Sequence, residues 1–300
     1  MKILCIGIAV MDILARPVSD KGGWQEKQRI SDISIQPGGD ALNQAMRLAD
    51  LGEDVGIACV VGDDETGGML IDAMKSRGVD TSLVCRDGRE ATSTSVILIG
   101  AEGERHIFSA GHAHALIDAG HIPAHLPEGC RAVSLGSLFS MPLLEKDGLL
   151  EALRTYRREG ALVFADLASD KLHAGLAGVR DFLPEIDYFL PSLYDATAQT
   201  GCETAEEAAR LYRELGVGCA VIKCGAKGAY YLSREEAGWA EALPVSPVDT
   251  TGAGDAMSAF FIARILAGDR PGEAAGRACR AASRTTLYLG ASGGRITDLT

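Results

Sequence analysis

Aromatic residues, basic residues and paired cysteines are all scarce in this chain of 300 residues. Phe, Tyr and Trp make up 5% of the sequence, which leaves few rings to stack on the base of a nucleoside. Lys and Arg together number 29 against 41 Asp and Glu, for a formal net charge of -12. That balance argues against a nonspecific nucleic-acid surface or an anionic-membrane surface. We therefore expect neither nucleic acid nor membrane as a partner.

The eight cysteines include no Cys-x-x-Cys pair, and several lie in apolar, strand-like runs such as Ile3-Leu-Cys-Ile6. This distribution is typical of reduced core thiols and predicts a cytoplasmic protein. No stretch is long and apolar enough to span a membrane. The apolar start of the chain is interrupted by Asp12 and Arg16, which favours a first buried strand over a signal peptide.

Three familiar site patterns are also absent. The phosphate-binding pattern Gly-x-x-x-x-Gly-Lys-Ser/Thr does not occur, which excludes a P-loop ATPase. The Gly252-x-Gly254 pair has Met257 where a dinucleotide-binding turn needs a third glycine, and it lies near the end of the chain. Pro123 separates His121 from His125, so these two cannot share a helix face as zinc ligands.

Short apolar runs alternate with amphipathic segments along most of the sequence. The predicted strands cover 3–10, 55–61, 132–135, 161–165, 188–190 and 219–223, and the predicted helices include 41–49, 66–77, 143–159 and 204–215. Continuous apolar character is typical of parallel strands that are covered on both faces. We predict an α/β fold with a doubly wound, mostly parallel sheet and helices on both faces, as a single domain over 1–300.

Two segments interrupt that alternation, about 13–37 and about 86–110. The first carries the alternating Ile30-Ser-Asp-Ile-Ser-Ile35, and the second contains Thr92–Ile99, a Gly-Ala-Glu-Gly turn and Glu104–Phe108. Both patterns are typical of half-exposed antiparallel strands, and the second predicts a hairpin. We interpret the two segments as a small β-sheet lid over a site.

A glycine-rich turn, Asp249-Thr-Thr-Gly-Ala-Gly-Asp255, precedes the nearly all-apolar segment 256–263. The turn would present backbone N–H groups at the positive end of a helix dipole, where a phosphate or an oxyanion can bind. Asp255 alone could be a helix cap. Beside an anion hole it could instead accept a proton from an attacking hydroxyl, as phosphoryl transfer requires.

A second polar cluster is predicted near the start of the sheet. Asp12 follows the first predicted strand, and Gly38-Gly-Asp-Ala-Leu-Asn43 opens the first helix. Ligands bind at the carboxyl ends of strands in doubly wound sheets. The carboxylates of Asp12 and Asp40 and the amide of Asn43 would suit the hydroxyls of a small polyol. Each residue taken alone is also explained as a loop or cap residue.

Two motifs of the chain are similar to the signatures of the ribokinase-like carbohydrate kinases, also called the phosphofructokinase-B family. Gly38-Gly-Asp-Ala-Leu-Asn-Gln-Ala45 resembles the N-terminal signature, and Asp249-Thr-Thr-Gly-Ala-Gly-Asp-Ala256 resembles the C-terminal one. Asp12 and the segments 61–67 and 222–228 also fall in the expected order. The resemblance runs from about residue 1 to 295.

The resemblance implies a role for each group of residues. Asp255 would be the general base, and the N–H groups around Gly252, Ala253 and Gly254 would be the anion hole. The implied acceptor-binding residues are Asp12, Gly38, Gly39, Asp40, Asn43 and His114. The implied nucleotide-binding residues are Ser192, Lys223, Gly225 and Gly228. Asp195 would help to hold Mg²⁺ with ATP, and Asp249 and Thr251 match the place where many relatives hold K⁺.

The chain departs from the family pattern at three places. Ser192-Leu-Tyr-Asp195 stands where the family usually has Asn-x-x-Glu, which weakens the expected Mg²⁺ and phosphate contacts. Asp166-Leu-Ala-Ser-Asp170 lacks the arginine that many kinases of anionic sugars carry there, which argues against an anionic acceptor that needs a guanidinium partner. His114 stands in a lid segment where relatives often have asparagine.

We predict an ATP-dependent kinase that phosphorylates a hydroxyl of a small sugar. A nucleoside kinase of the same family is the first alternative, and Trp24 and Phe108 are its lid-side stacking candidates. A catalytically weak relative that binds a small molecule is the second. We also expect a homodimer formed through the lid.

Overall fold

The computed structural model describes residues 1–19, 27–101, 104–168, 174–291, 293–295 and 297, and within these ranges it contains two sheets. The strands of the larger sheet are β1 (Ile3–Ile6), β4 (Val55–Gly62), β5 (Val84–Asp87), β8 (Ala132–Leu138), β9 (Leu162–Leu167), β10 (Tyr188–Phe189), β11 (Cys219–Lys223), β12 (Ala229–Leu232) and β13 (Ala237–Ala240). Those of the smaller sheet are β2 (Val10–Arg16), β3 (Asp32–Gly38), β6 (Thr94–Ile99) and β7 (Arg105–Ala110).

The larger sheet has the strand order β13-β12-β11-β10-β9-β8-β1-β4-β5. The seven strands from β11 to β5 in that order run parallel, and β12 pairs antiparallel with both β11 and β13. The chain builds outward from β1 to β4 and β5, and later from β8 to β11 on the other side. The order therefore reverses between β1 and β8, and at such a point a doubly wound sheet leaves a crevice for ligands.

Helices cover both faces of this sheet, as predicted. They are α1 (Asp40–Asp50), α2 (Glu65–Ser76), α3 (Pro142–Lys146), α4 (Leu149–Arg158), α5 (Leu193–Thr200), α6 (Ala205–Glu214), α7 (Ala253–Leu266) and α8 (Pro271–Thr285). One apolar core lies under α1, α2, α7 and α8, and the other lies under α3 to α6. None of the helices in the described ranges is long and apolar enough to cross a bilayer.

The smaller sheet contains strands from both predicted lid segments but with different limits, and residues 20–26 of the first segment lie outside the described residues. Its order is β3-β2-β6-β7, and β6 and β7 form the predicted antiparallel hairpin. The apolar run 3–10 is two strands, because the chain leaves the larger sheet at Gly7, where Ala41 packs too closely for a side chain. The lid thus begins at Val10, and Asp12 lies within a lid strand. Residues 86 and 87 belong to β5 of the larger sheet.

The predicted helix over 143–159 is also corrected. Gly148 adopts a left-handed φ of 116° and divides the segment into the short α3 and the longer α4. The apolar periodicity continues across this break, so the sequence pattern did not reveal it. The break lies on the face of the sheet away from α1 and α7 and does not affect the site.

The register of the smaller sheet decides which lid residues point toward the body of the molecule. Asp12 pairs with Ser95, Ser95 pairs with Ser109, and Ile99 pairs with Arg105. These residues share one face because neighbouring side chains on a strand alternate. Phe108 lies on the opposite, outer face.

Candidate active site

Helix α7 begins at the predicted glycine-rich turn. Gly252 is its N-cap residue and adopts a left-handed φ of 71°. A side chain at Gly252 would lie 2.5 Å from the Cβ atom of Ala291, so this close approach requires glycine. The first N–H groups of a helix have no intrahelical acceptor. The Ala253 N–H donates to the Thr250 carbonyl oxygen at 3.2 Å, so a bound phosphate would compete with that bond for it.

Asp255 lies in the first turn of α7 and is only 9% exposed. The Asn43 amide nitrogen in α1 donates a hydrogen bond of 2.7 Å to its Oδ2 atom. Burial raises the pKa of Asp255 well above its ordinary value, and the charge of Asp40 raises it further, against the opposing effect of the Asn43 bond. A carboxylate with a raised pKa is a stronger base than an exposed one.

Asn43 also carries an unpaired acceptor. Its Oδ1 atom is buried, and no donor in the described part of the chain reaches it. A buried polar atom without a partner is costly unless a ligand or water supplies one. The amide thus bridges Asp255 and a position where a substrate hydroxyl could donate.

Asp40 opens α1, opposite the carboxyl end of β8. The Ser137 hydroxyl donates to its Oδ2 atom at 3.1 Å. Burial and the nearby Asp166 charge raise the pKa of Asp40 to about 7, although Ser137 and Lys223 act in the other direction. The charge of Asp40 also raises the pKa of Asp255. Ionisation of either carboxyl group therefore makes ionisation of the other less favourable.

Asp12 reaches toward this group from lid strand β2. Burial raises the pKa of Asp12 to about 6. A Cβ atom on Gly38 would lie 2.1 Å from its Oδ2 atom, so the Asp12 carboxylate occupies the space that the absent side chain leaves. The next residue, Gly39, has a φ of 94° and approaches the Ile8 carbonyl oxygen. The two glycines therefore allow Asp12 and the start of α1 to lie close together.

Lys223 lies at the floor of the site, at the end of β11. Its ammonium group donates to the Asp166 carboxylate and, at 3.3 Å, to the Ser258 hydroxyl. Ser258 itself donates to Asp166 at 3.0 Å. A Cβ atom on Gly254 would lie 3.4 Å from the Lys223 nitrogen, so the lysine adjoins the glycine-rich turn 249–255, the candidate anion-binding turn. A phosphate at that turn would meet a positive charge.

Three other residues that the sequence predicted to bind nucleotide lie in different parts of the structure. Ser192 caps α5, where its Oγ atom accepts from the Asp195 N–H at 3.0 Å and its hydroxyl donates to Asp195 Oδ2 at 2.5 Å. Gly225 lies in an exposed turn after β11 with a φ of 58°. Gly228 packs against the Ala240 carbonyl, where a Cβ atom would lie 1.9 Å away. Gly228 thus has a packing role in addition to any contact with nucleotide.

The residues around Asp195 fit a magnesium ion that is shared with phosphates. The charge of Asp195 contributes to the raised pKa of Asp40, whose largest cause is burial. No cluster of three or more His, Cys, Asp or Glu that could hold a metal occurs among the described residues. Mg²⁺ is commonly bound through one or two carboxylates, waters and substrate phosphates, which does not require such a cluster.

The predicted potassium site does not fit an ion. Asp249 Oδ1 accepts from the Thr251 N–H at 2.9 Å and the Thr251 hydroxyl at 2.7 Å. Asp249 Oδ2 accepts from the Gly290 N–H at 2.9 Å. The guanidinium of Arg105, in lid strand β7, lies 2.8 Å from Oδ1. A cation at this carboxylate would therefore meet a positive charge that is already in contact with it.

His114 lies at the base of the lid, in a short 3-10 helix over Ala113–Leu116. Its Nδ1 atom is 2.5 Å from the Ser93 hydroxyl, next to the start of β6. Its role as an acceptor contact stays a prediction. Trp24 and Asp170, which entered the sequence argument, lie outside the described residues.

Sequence reasoning assigned no site role to Asp166, Ser137, Ser258 or Arg105. Asp166 and Ser137 could have been found, because both fall at the carboxyl ends of predicted buried strands. Ser258 follows Asp255 by one helical turn. Arg105 carried no such signal, because its role depends on how the lid lies over the body.

The large, mostly parallel sheet with helices on both faces and the smaller second sheet form a ribokinase-like α/β fold. A candidate ribokinase II from E. coli, solved with ATP and Mg²⁺, superposes with a TM-score of 0.86 at 22% identity over 98% of this chain and 96% of that chain.

The model of the pfkB family carbohydrate kinases matches residues 1–298. The chain therefore belongs to this family, whose enzymes are ATP-dependent carbohydrate kinases. The aminoimidazole riboside kinase of Salmonella typhimurium is 29% identical over 74% of this chain and 71% of its own length. The ribokinase of Haemophilus influenzae is 26% identical over 78% of this chain and 76% of its own length.

The raised pKa of Asp40 predicts that the stability of the fold depends on pH. A carboxyl whose pKa is higher in the folded state stabilises the fold fully below its unfolded pKa, and this contribution is lost as the pH rises to about 7. Asp40→Asn removes the charge, so we expect the free energy of unfolding at pH 8 to increase by about 2 kcal/mol. At pH 4 the two proteins should differ little. Urea unfolding at both pH values measures this.

The matched control for that experiment is Asp72→Asn, at an exposed position on α2. It should leave the pH dependence of stability unchanged. An equal gain for Asp40→Asn at pH 4 and pH 8 would show that ionisation of Asp40 does not destabilise the fold.

Proposed function

We propose that this protein transfers the γ-phosphate of Mg·ATP to a hydroxyl of a small neutral sugar or related polyol. The observation that carries the proposal is the position of Asp255. It is a buried carboxylate in the first turn of α7, beside the anion-binding turn, and Asn43 orients it from the opposite helix. A base and an anion site within one helical turn are what in-line phosphoryl transfer requires.

Each part of the site has a role in this reaction. Asp255 accepts the proton of the acceptor hydroxyl, and Asn43 holds its carboxylate in place. The N–H groups at the start of α7, together with Lys223, stabilise the charge that develops on the transferred phosphoryl group. Asp195 would hold Mg²⁺, which neutralises charge on the phosphates when bound.

The electrostatics of the acceptor side favour a neutral substrate. Asp12, Asp40 and Asp255 bring three carboxyl groups to one cleft, and burial raises the pKa of each. An anionic acceptor would be repelled by this group, whereas sugar hydroxyls can donate to it. The lid closes from the Asp12 side and excludes water from the reacting groups.

A nucleoside is the second candidate acceptor, because the Salmonella relative is named an aminoimidazole riboside kinase. The position of Phe108 argues against stacking of a base by that residue. Phe108 pairs with Val96 on the outer face of the lid and packs edge-on against His106. The ribose part of a nucleoside would still meet the same polar groups.

A panel of acceptors separates these readings. We expect ATP consumption with neutral pentoses or hexoses to exceed that with sugar phosphates or sugar acids by at least about a hundredfold in kcat/KM. Ribonucleosides should be included in the same panel. Preference for a nucleoside over every free sugar would establish the second candidate, and no turnover with any compound would favour a binding protein.

Asp255→Asn tests the base directly. The amide has the same shape but cannot accept the proton, so we expect kcat to fall by about 10³-fold or more while ATP still binds. The activity of the unaltered protein should fall as the pH is lowered, because protonation removes the base. Steady-state kinetics and nucleotide titration measure the two effects. Asp72→Asn is the control, and a turnover of Asp255→Asn close to that of this control would remove Asp255 from the base role.

The outer face of the lid supports a homodimer. Ile33, Ile35 and Phe108 are 65%, 56% and 43% exposed, and they form an apolar surface that a second lid could cover. We expect sedimentation at micromolar concentration to show a dimer and Ile35→Glu with Phe108→Glu to give a monomer. Leu143→Glu, at an exposed apolar residue of α3 in the larger layer, is the control. A dimer that survives the lid substitutions would place the interface elsewhere.

A further inference from the structure

The lid contacts the candidate anion-binding turn through an ion pair between Arg105 and Asp249. The Arg105 guanidinium lies 2.8 Å from Asp249 Oδ1, and the two side chains are 35% and 4% exposed. Asp249 in turn accepts from both the N–H and the hydroxyl of Thr251, the residue before Gly252. A charge on the lid therefore acts on the residues that begin α7.

The fold directs Arg105 to this position. Arg105 begins the edge strand β7, and its pairing with Ile99 puts it on the same face of the lid as Asp12. That face points toward the larger layer. Arg16 lies on another lid strand and pairs with Asp32 within the lid itself. Arg105 is thus a lid arginine whose carboxylate partner belongs to the body of the molecule.

The Asp249 carboxylate has little capacity left for a bound cation. Oδ1 accepts three bonds and Oδ2 accepts one from the Gly290 N–H. The Arg105 guanidinium, 2.8 Å from Oδ1, already supplies a positive charge in contact with this carboxylate. A weakly held monovalent ion needs several free oxygen ligands in place of its hydration shell.

We propose that Arg105 is a tethered cation that replaces a monovalent metal ion at the anion-binding turn. It is a positioning residue, because it acts through Asp249 and Thr251 and touches no reacting atom. Since Arg105 is on the lid, its charge reaches the turn only when the lid lies over the body. The proposal rests on the proposed function for its kinetic consequences, but the cation preference of the protein itself does not depend on the acceptor.

The experiment compares salts of equal ionic strength, KCl and tetramethylammonium chloride, on the full chain. For the unaltered protein we expect the melting temperature without ligand and the kinase turnover to be the same in both, within about twofold for turnover. Removal of the tethered charge in Arg105→Ala should lower turnover in tetramethylammonium chloride. Replacing that salt by KCl should raise the turnover of Arg105→Ala about tenfold and its melting temperature by about 2 °C.

Two further variants separate this role from simple support of the lid. Arg105→Lys keeps the charge and should remain indifferent to K⁺. Arg16→Met removes a lid arginine without touching Asp249, so it should also remain indifferent.

Activation or stabilisation of the unaltered protein by K⁺ would overturn the proposal. The proposal would also be overturned if K⁺ changed neither the turnover nor the melting temperature of Arg105→Ala. If no acceptor is phosphorylated, the proposed function fails, but the melting temperatures still decide the role of Arg105.

Discussion

The hydrogen bond between Asn43 and Asp255 joins the two helices on which the rest of the site depends. It connects α1 and α7 through two residues that are 212 positions apart in the sequence. Arg47, one turn further along α1, donates to the carbonyl oxygens of Ala291 and Gly293, and Ala291 packs against Gly252. One face of α1 thus positions the base directly and supports the anion-binding turn from behind. Burial of the Asp255 carboxylate and the Arg47 guanidinium costs stability, which the packing of α1 and α7 must offset.

The electrostatic design is a group of acidic residues around one lysine. Burial raises the pKa of Asp40, Asp166 and Asp255, and Lys223 opposes this rise for all three. The charge of Asp166 raises the pKa of Asp40 and Asp255 further, and the charge of Asp40 adds to the rise for Asp255. Because Lys223 is hydrogen-bonded to Asp166 and lies beside Gly254, an arriving phosphate would compete with that carboxylate for the lysine. The resting site is therefore organised around a counter-ion that the nucleotide can share. This explains how a protein with a net charge of -12 can hold a polyanion.

Much of the fold could be predicted because its determinants are local. The apolar runs marked the parallel strands, and the glycine-rich motifs marked the starts of α1 and α7. The errors arose where a local pattern carried no information about tertiary contacts. The break at Gly7 depends on the approach of Ala41, and the break at Gly148 leaves the periodicity intact. Arg105 was missed for the same reason, because its partner is 144 residues away.

The short connection between β1 and β2 has a consequence for how the protein selects a ligand. Only residues 7–9 separate β1 of the larger sheet from β2, the lid strand that carries Asp12. If the lid rotated about this connection, Asp12 would move by a short arc and Arg105 by a long one, since Arg105 is on the far edge strand. A ligand that displaced Asp12 slightly would then displace Arg105 by a larger distance.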